Sequence, residues 1–228
     1  MSFNYIGLAR NNKEKNEALS LASLVFINEN DLTYSKSNLL SVNGNINNSD
    51  VVILKKNNEN VCGCCFLIDR FFVRNNEKIK GTFFSSICIA ESERGNSFSI
   101  KMLKEAIRQS NMRNSKFSIL IARRAVDYFY NKLSFWGISQ YSKILISKLE
   151  SRLVNKNISF KKSSAKDIKL MNSIYEKTYL NSFGPCIRNE NNWNYILKKS
   201  FIQNVFVKTI LIEEKFSDYI IFSKNIIY

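Results

Sequence analysis

Apolar residues along this chain follow two rhythms, and the changes between them mark its elements. Residues 3–9 and 51–55 are short apolar runs that read as strands. A longer strand over 61–72 follows a turn at Asn57-Asn58-Glu59-Asn60. Residues 13–27 place Ala18, Leu21, Ala22 and Val25 on one face, which predicts an amphipathic helix. Residues 28–50 are rich in Asn and Ser and read as a loop holding a short helix. A strand over 81–90 runs into a turn and then a helix over 97–109, with Ile100, Leu103 and Ile107 at helical spacing. Residues 117–122 read as strand, and 125–133 as a helix with Val126, Phe129, Tyr130 and Leu133 on one face. A strand over 139–148 is expected to close this region.

A second unit is expected to begin near Ile158. Residues 158–162 read as strand, and 165–180 as a helix with Ile168, Met171, Ile174 and Tyr175 on one face. Asp167 stands near its start, where a carboxylate complements the helix dipole. The lone proline, Pro185, sits in a Gly184-Pro185 turn. A short helix around Trp193 follows over 191–200, then strands over 205–212 and 218–222, with 225–228 extending the pairing. This order, strand–helix–helix–strand–strand, repeats that of residues 3–72. The expected organisation is an α/β protein with a mixed sheet over residues 1–150 and a partial second α/β unit over 151–228.

Composition narrows the class. A chain of 228 residues that is 45% hydrophobic and 13% aromatic can bury a sizeable core, which excludes general disorder. No apolar run approaches the roughly 20 residues that cross a bilayer. The start, Met1-Ser-Phe-Asn-Tyr-Ile-Gly, lacks a basic segment followed by a long apolar one, so the expectation is a cytoplasmic protein with no membrane insertion. The net charge of +15 is spread along the whole chain, with no basic cluster longer than pairs such as Arg123-Arg124. No specific nucleic-acid partner is expected, although such a charge attracts an anionic cofactor or substrate. Histidine is absent, which excludes His-dependent triads, His bases and His metal ligands. The Cys62-Gly63-Cys64-Cys65 cluster lies inside an apolar strand with no second cluster to complete a ligand set. Buried thiols in a reducing compartment, and no metal, are expected.

The chemistry concentrates after the strand that ends at Ala90. Arg94-Gly95-Asn96-Ser97-Phe98-Ser99 is a small-residue turn between a strand and a helix start. That layout aims backbone N–H groups and a helix dipole at a phosphate, and Arg94 adds a fixed positive fork. A phosphate-bearing cofactor is therefore the expected ligand.

From Val51 to about Phe135 the sequence resembles the GNAT superfamily of acetyl-CoA-dependent N-acetyltransferases. Two places carry the resemblance. Arg94 to Ser99 stands where that family has its pyrophosphate loop, with Ser97 at a position usually held by Gly and able to cap the helix. Ala125 to Phe135 is similar to the family's Ala-x-x-x-Tyr-x-x-Gly-Phe helix, with Ser134 in place of Gly and Arg123 where Asn is common. Gly63 matches a frequent family glycine, and the tail is similar to the opening half of a second unit in tandem members.

The resemblance implies a GNAT-like twisted mixed sheet flanked by helices, and it implies site roles. Ile87, Cys88, Ile89 and Ala90 would pair with the pantetheine arm and polarise the thioester carbonyl. Arg94, Gly95, Asn96, Ser97, Phe98 and Ser99 would hold the pyrophosphate, with Arg123 contacting cofactor phosphate or an acidic substrate. Tyr130 would protonate the departing thiolate, with Tyr128 as the nearby alternative. Glu91, or Glu93, would serve as general base. The implied activity is direct acetyl transfer to a primary amine of a small molecule or peptide, and a homodimer is allowed. The serines at 97 and 134 keep a catalytically silent acyl-CoA-binding domain open as an alternative. A basic nucleic-acid-binding domain is a weaker one.

Overall fold

The computed structural model describes residues 5–26, 46–56, 60–75, 77–122, 127–137, 157–179, 186–202 and 205–223. Within them five strands form one sheet in the order β1-β2-β3-β4-β5: β1 Tyr5–Leu8, β2 Val51–Lys55, β3 Val61–Arg74, β4 Glu77–Ile89 and β5 Ser118–Ile119. The first four pair antiparallel, and β4 with β5 is the one parallel pair. Helix α1 (Asn12–Phe26) covers one face of this sheet and α2 (Phe98–Met112) the other.

The two faces can be read from β2. Val51 and Ile53 pack toward α1 with Ala18, Leu19, Ala22 and Phe66. Val52 and Leu54 pack toward α2 with Leu67, Met102, Leu103 and Ala106. A strand covered on both faces reads as a continuous apolar run instead of an alternating one. Cys64 and Cys65 fall on opposite faces, both buried, as small apolar groups.

The β3–β4 hairpin is longer than its apolar run predicts, because its tip is built from alternating charged residues. Glu77, Lys78 and Lys80 pair opposite Arg74, Val73 and Phe71. Asn75 turns the chain with a left-handed backbone, φ 50°. Strand β5 is shorter than the 117–122 run. The segments 28–45, 139–148 and 225–228, and Pro185, lie outside the described residues.

The C-terminal part forms its own three-stranded antiparallel sheet in the order β6-β7-β8: β6 Ile158–Lys162, β7 Val205–Ile212 and β8 Lys215–Ser223. Helices α4 (Ile168–Tyr179) and α5 (Glu190–Ile202) share a core of Met171, Tyr175, Trp193 and Val207. Asp167 sits in a tight turn ahead of α4, where it accepts hydrogen bonds from the Ser164 N–H and hydroxyl at 2.9 Å and pairs with Lys161 at 3.0 Å. Arg188 lies over the Tyr175 ring at 4.0 Å and the Trp193 ring at 4.8 Å. Trp193 donates its indole N–H to the Asn172 side-chain oxygen at 2.7 Å.

The two sheets are tied at the free end of β3. Phe72 bridges Cys186, Ile187 N–H donates to the Phe71 carbonyl at 2.7 Å, and the Tyr175 hydroxyl donates to the Cys186 carbonyl at 2.8 Å. Among the described residues no helix is long and apolar enough to cross a membrane.

Glu14 is the buried charge of the first core, 3% exposed. Its carboxylate accepts from the Arg10 backbone N–H at 2.8 Å and from the Arg10 guanidinium, and Lys55 approaches at 3.3 Å. The Arg10 hydrogen bonds hold its pKa down to about 2 against the opposing effect of burial. A carboxyl depressed on folding stabilises the protein above its unfolded pKa and loses that contribution as pH falls through the folded one. Glu14→Gln should therefore cost about 2 kcal/mol at neutral pH, since it leaves buried donors poorly matched. It should also flatten the acid loss of stability between pH 4.5 and about 2, the window of the shift. Urea melts at a series of pH values check both outcomes.

Candidate functional site

Strand β4 carries one more residue than β3 across the register step from Cys64↔Cys88 to Phe66↔Ser85. The extra residue is accommodated at Ser86, which is buried and has φ 51°. A bulge of this kind bends a strand and increases its twist. Strand β5 pairs only with Thr82 and Phe83, on the near side of this bulge. From Phe84 to Ile89 the outer edge of β4 therefore meets no described strand.

Hydrogen bonding fixes which groups face that edge. Ala90 N–H donates to the Cys62 carbonyl at 2.7 Å, toward β3. By strand alternation the peptide groups of Cys88 also face β3, and those of Ile87 and Ile89 face the open edge. The Cys88 side chain lies on the α1 face, with its Sγ 3.4 Å from that of Cys64. Arg94 reaches back and donates its Nε–H to the Ile89 carbonyl at 3.3 Å.

A short helical turn over Glu91–Glu93 leads into the loop. Glu91 is exposed, whereas Glu93 is held by Lys56 at 3.1 Å. Gly95 has φ 85°, and a Cβ built there would meet nothing within 4 Å. Asn96 is exposed and Ser99 half-buried. Phe98 is buried and packs in the α2 core, so only its backbone is available to a ligand.

Ser97 departs from the sequence expectation of a side-chain cap. Its backbone is left-handed (φ 58°, ψ 18°), and its hydroxyl makes no capping bond to the helix. Side-chain caps need an extended backbone, which this turn does not provide. The turn instead leads straight into the first turn of α2. The loop and helix start border a shallow pocket of about 90 Å³ lined by Ile89, Glu93, Arg94, Gly95, Ser97, Phe98 and Ser99.

The second motif forms helix α3 (Asp127–Asn131), close to this edge. Phe135 N–H donates to the Tyr130 carbonyl at 3.2 Å and Ser134 N–H to the Asn131 carbonyl at 3.1 Å. These are the two bonds of a Schellman ending, and Ser134 takes its left-handed position with φ 61°. The Tyr130 and Phe135 rings meet with centroids 6.2 Å apart, the apolar contact that accompanies such an ending. Phe135 packs in turn on Phe84 of β4 at 6.0 Å. Tyr130 is half-buried, and burial raises its pKa, with nearby Cys65 adding to the effect. Tyr128 is 68% exposed, which sets it outside this packing. Arg123 lies outside the described residues.

A larger cavity of about 270 Å³ lies at the β3 edge between Asp50 and Arg70. Its carboxylates are already paired, Asp50 with Arg113 at 3.1 Å and Asp69 with Lys80 at 2.7 Å. It therefore offers no free acid or base. Among the described residues no group of His, Cys, Asp and Glu is placed to hold a metal ion.

The bulge at Ser86 and the Lys56–Glu93 pair were not legible in the sequence. Neither leaves a periodicity signal, and only the Ser85-Ser86 pair within an apolar strand marks the first. The left-handed serines carry a strain of roughly 1–2 kcal/mol each, which glycine would avoid at some cost in unfolded-state entropy. Ser134→Gly should raise stability by about 0.5–1 kcal/mol, read as a higher midpoint in thermal or urea unfolding.

No protein-family model matches the chain, and no curated protein matches it significantly in sequence. Solved structures do match it. A conserved protein of unknown function and probable N-acyltransferase from Enterococcus faecalis superposes with TM-score 0.68 at 12% identity, over 99% of this chain and 56% of that one. A GCN5-related N-acetyltransferase from Anabaena variabilis gives 0.67 at 14% identity, over 97% and 54%. Eis1 from Mycobacterium abscessus gives 0.60 at 12% identity, over 92% and 51%. The chain spans about half the length of these three structures, and the match runs through both of its sheets. At such identities the likeness is one of fold, and that fold is the GNAT N-acetyltransferase fold.

Proposed function

We propose that this chain is an N-acetyltransferase that moves an acetyl group from acetyl-CoA to a primary amine by direct attack within a ternary complex. The observation that carries the reading is the open edge of β4 running straight into a left-handed turn and a helix start. An extended chain of amides ending in a diphosphate matches both halves of that surface. The Ile87 and Ile89 peptide groups pair with the pantetheine arm, and Cys88 and Ala90 hold the strand from behind. Arg94, Gly95, Asn96, Ser97, Phe98 and Ser99 receive the pyrophosphate through backbone N–H groups, the helix dipole and the guanidinium. Arg123 contributes a further phosphate contact.

Acetyl-CoA supplies a thioester whose carbonyl oxygen gains charge when an amine adds. Amide N–H groups on the open edge stabilise that charge in place. Holding donor and amine together removes the entropic cost of their encounter. Tyr130 donates a proton to the leaving sulfur. Burial keeps its phenol protonated well above neutral pH, so the proton is available across the working range. Glu91 takes the proton of the attacking amine, directly or through water, because Glu93 is engaged by Lys56. The acceptor is a small molecule or peptide amine.

Release of free CoA thiol from acetyl-CoA in the presence of an amine panel tests this reading. Tyr130→Phe should lower kcat by about 10²-fold or more with little change in KM for acetyl-CoA. Equal turnover would remove Tyr130 from the chemistry. No thiol release with any amine, alongside intact acetyl-CoA binding, would leave a silent binding domain. The raised pKa of Tyr130 also predicts that activity does not fall through its deprotonation between neutral pH and its ordinary value near 10. Gly95→Trp keeps open space for its side chain but loses about 1–2 kcal/mol to the left-handed backbone. It should abolish acetyl-CoA affinity while the circular dichroism spectrum persists, and unchanged affinity would remove the loop from the site.

A further inference from the structure

Lys55 and Lys56 stand side by side in the sequence but serve different parts of the first sheet. Strand β2 ends where β3 carries one extra residue, between the pairs Leu54↔Gly63 and Lys55↔Val61. Lys55 pairs with Glu14 at the start of α1. Lys56, just past the end of β2, reaches the turn that follows β4 instead. There its ammonium donates to both oxygens of the Glu93 carboxylate, at 3.1 and 3.3 Å.

Among the described residues that line the pocket beside the loop, Glu93 is the one carboxylate and Arg94 the one cation. Their charges cancel, so the lining by itself offers a diphosphate no net attraction. A carboxylate beside a bound anion also opposes it at short range, where salt screening is incomplete. Lys56 offsets that charge from behind. With it, the cluster of Lys56, Glu93 and Arg94 holds two cations against one anion.

We propose that Lys56 belongs to the acetyl-CoA site as a positioning residue, which neutralises Glu93 beside the diphosphate and leaves the positive charge of Arg94 uncancelled. This rests on the reading of the loop as the pyrophosphate site. Glu93 in turn moderates the hold on the anion, because without it both cations would act unopposed. The pair is partly open to water, and such pairs add little to the stability of a fold. Its removal therefore reads out in binding more than in folding.

Calorimetric titration of acetyl-CoA at one ionic strength, on the full chain and its variants, tests the proposal. Affinity should follow the net charge of the cluster. Lys56→Gln leaves the cluster neutral and should weaken binding about tenfold. Lys56→Arg keeps the charge and should bind as the wild type does. Glu93→Gln leaves Lys56 and Arg94 unopposed and should tighten binding several-fold. The double variant Lys56→Gln with Glu93→Gln keeps the net charge of the wild type and should bind within about twofold of it. Lys78→Gln removes the same charge at the other end of the 13-residue strand β4, several Debye lengths away, and should leave affinity unchanged. Thermal melts check that each variant folds. A pair that only held the loop in shape would weaken binding when either partner is changed, so a weakened Glu93→Gln variant would overturn the proposal. So would unchanged affinity in Lys56→Gln, or a double variant as weak as Lys56→Gln. A wild type that binds no acetyl-CoA would overturn the reading of the loop and this proposal together. Binding that ignores the charge of the cluster would overturn this proposal alone.

Discussion

The bulge at Ser86 is the constraint on which the rest of the site depends. One extra residue in β4 is held in a left-handed backbone inside the core, three residues past the last β4–β5 pair at Phe83, where a bulge adds twist to the strand. A left-handed serine costs about 1–2 kcal/mol, and the packing around it must hold that strain. The holding contacts are visible: Cys64 against Cys88 on the α1 face, and Ile89 with Phe84 on the α2 face. The result is a length of strand whose edge meets no described strand, with Arg94 donating to the Ile89 carbonyl there. In the proposed mechanism the amide chain of the acyl donor pairs with that edge.

The two serines at usual glycine positions bear on the same site from different sides. Ser97 holds the left-handed turn ahead of α2, and Ser134 holds the Schellman ending that fixes the Tyr130 carbonyl and ring. In both places the backbone geometry survives the change of residue. The cost is stability instead of shape.

Periodicity made most elements legible. The stripe Ala18, Leu21, Ala22, Val25 located α1, and the apolar run at 51–55 located β2, because helices and strands bury faces at fixed spacing. The strand–turn–helix passage at 85–99 and the order of the C-terminal unit could be read in the same way. Glu14 was not legible, since a buried carboxylate is recognisable only once Arg10 and Lys55 are seen around it. Nor was the hydroxyl of Ser97, whose capping role depends on a backbone angle that composition does not set. The exposure of Ile158 and Phe160 on the C-terminal sheet is a similar case. Ile158 and Phe160 alternate as any half-buried strand does, and only the placement of both described helices on the other face shows that they remain exposed.

The claim at the centre of this account is that the open edge of β4 and the loop after it hold acetyl-CoA. Calorimetric titration of acetyl-CoA at low and high salt tests it most directly. The account predicts saturable one-to-one binding of roughly micromolar affinity that persists at the higher salt, because amide pairing and a built phosphate turn supply most of the energy. Absence of binding, or a weak heat that vanishes with salt, would contradict it and leave only a diffuse positive surface attracting an anion.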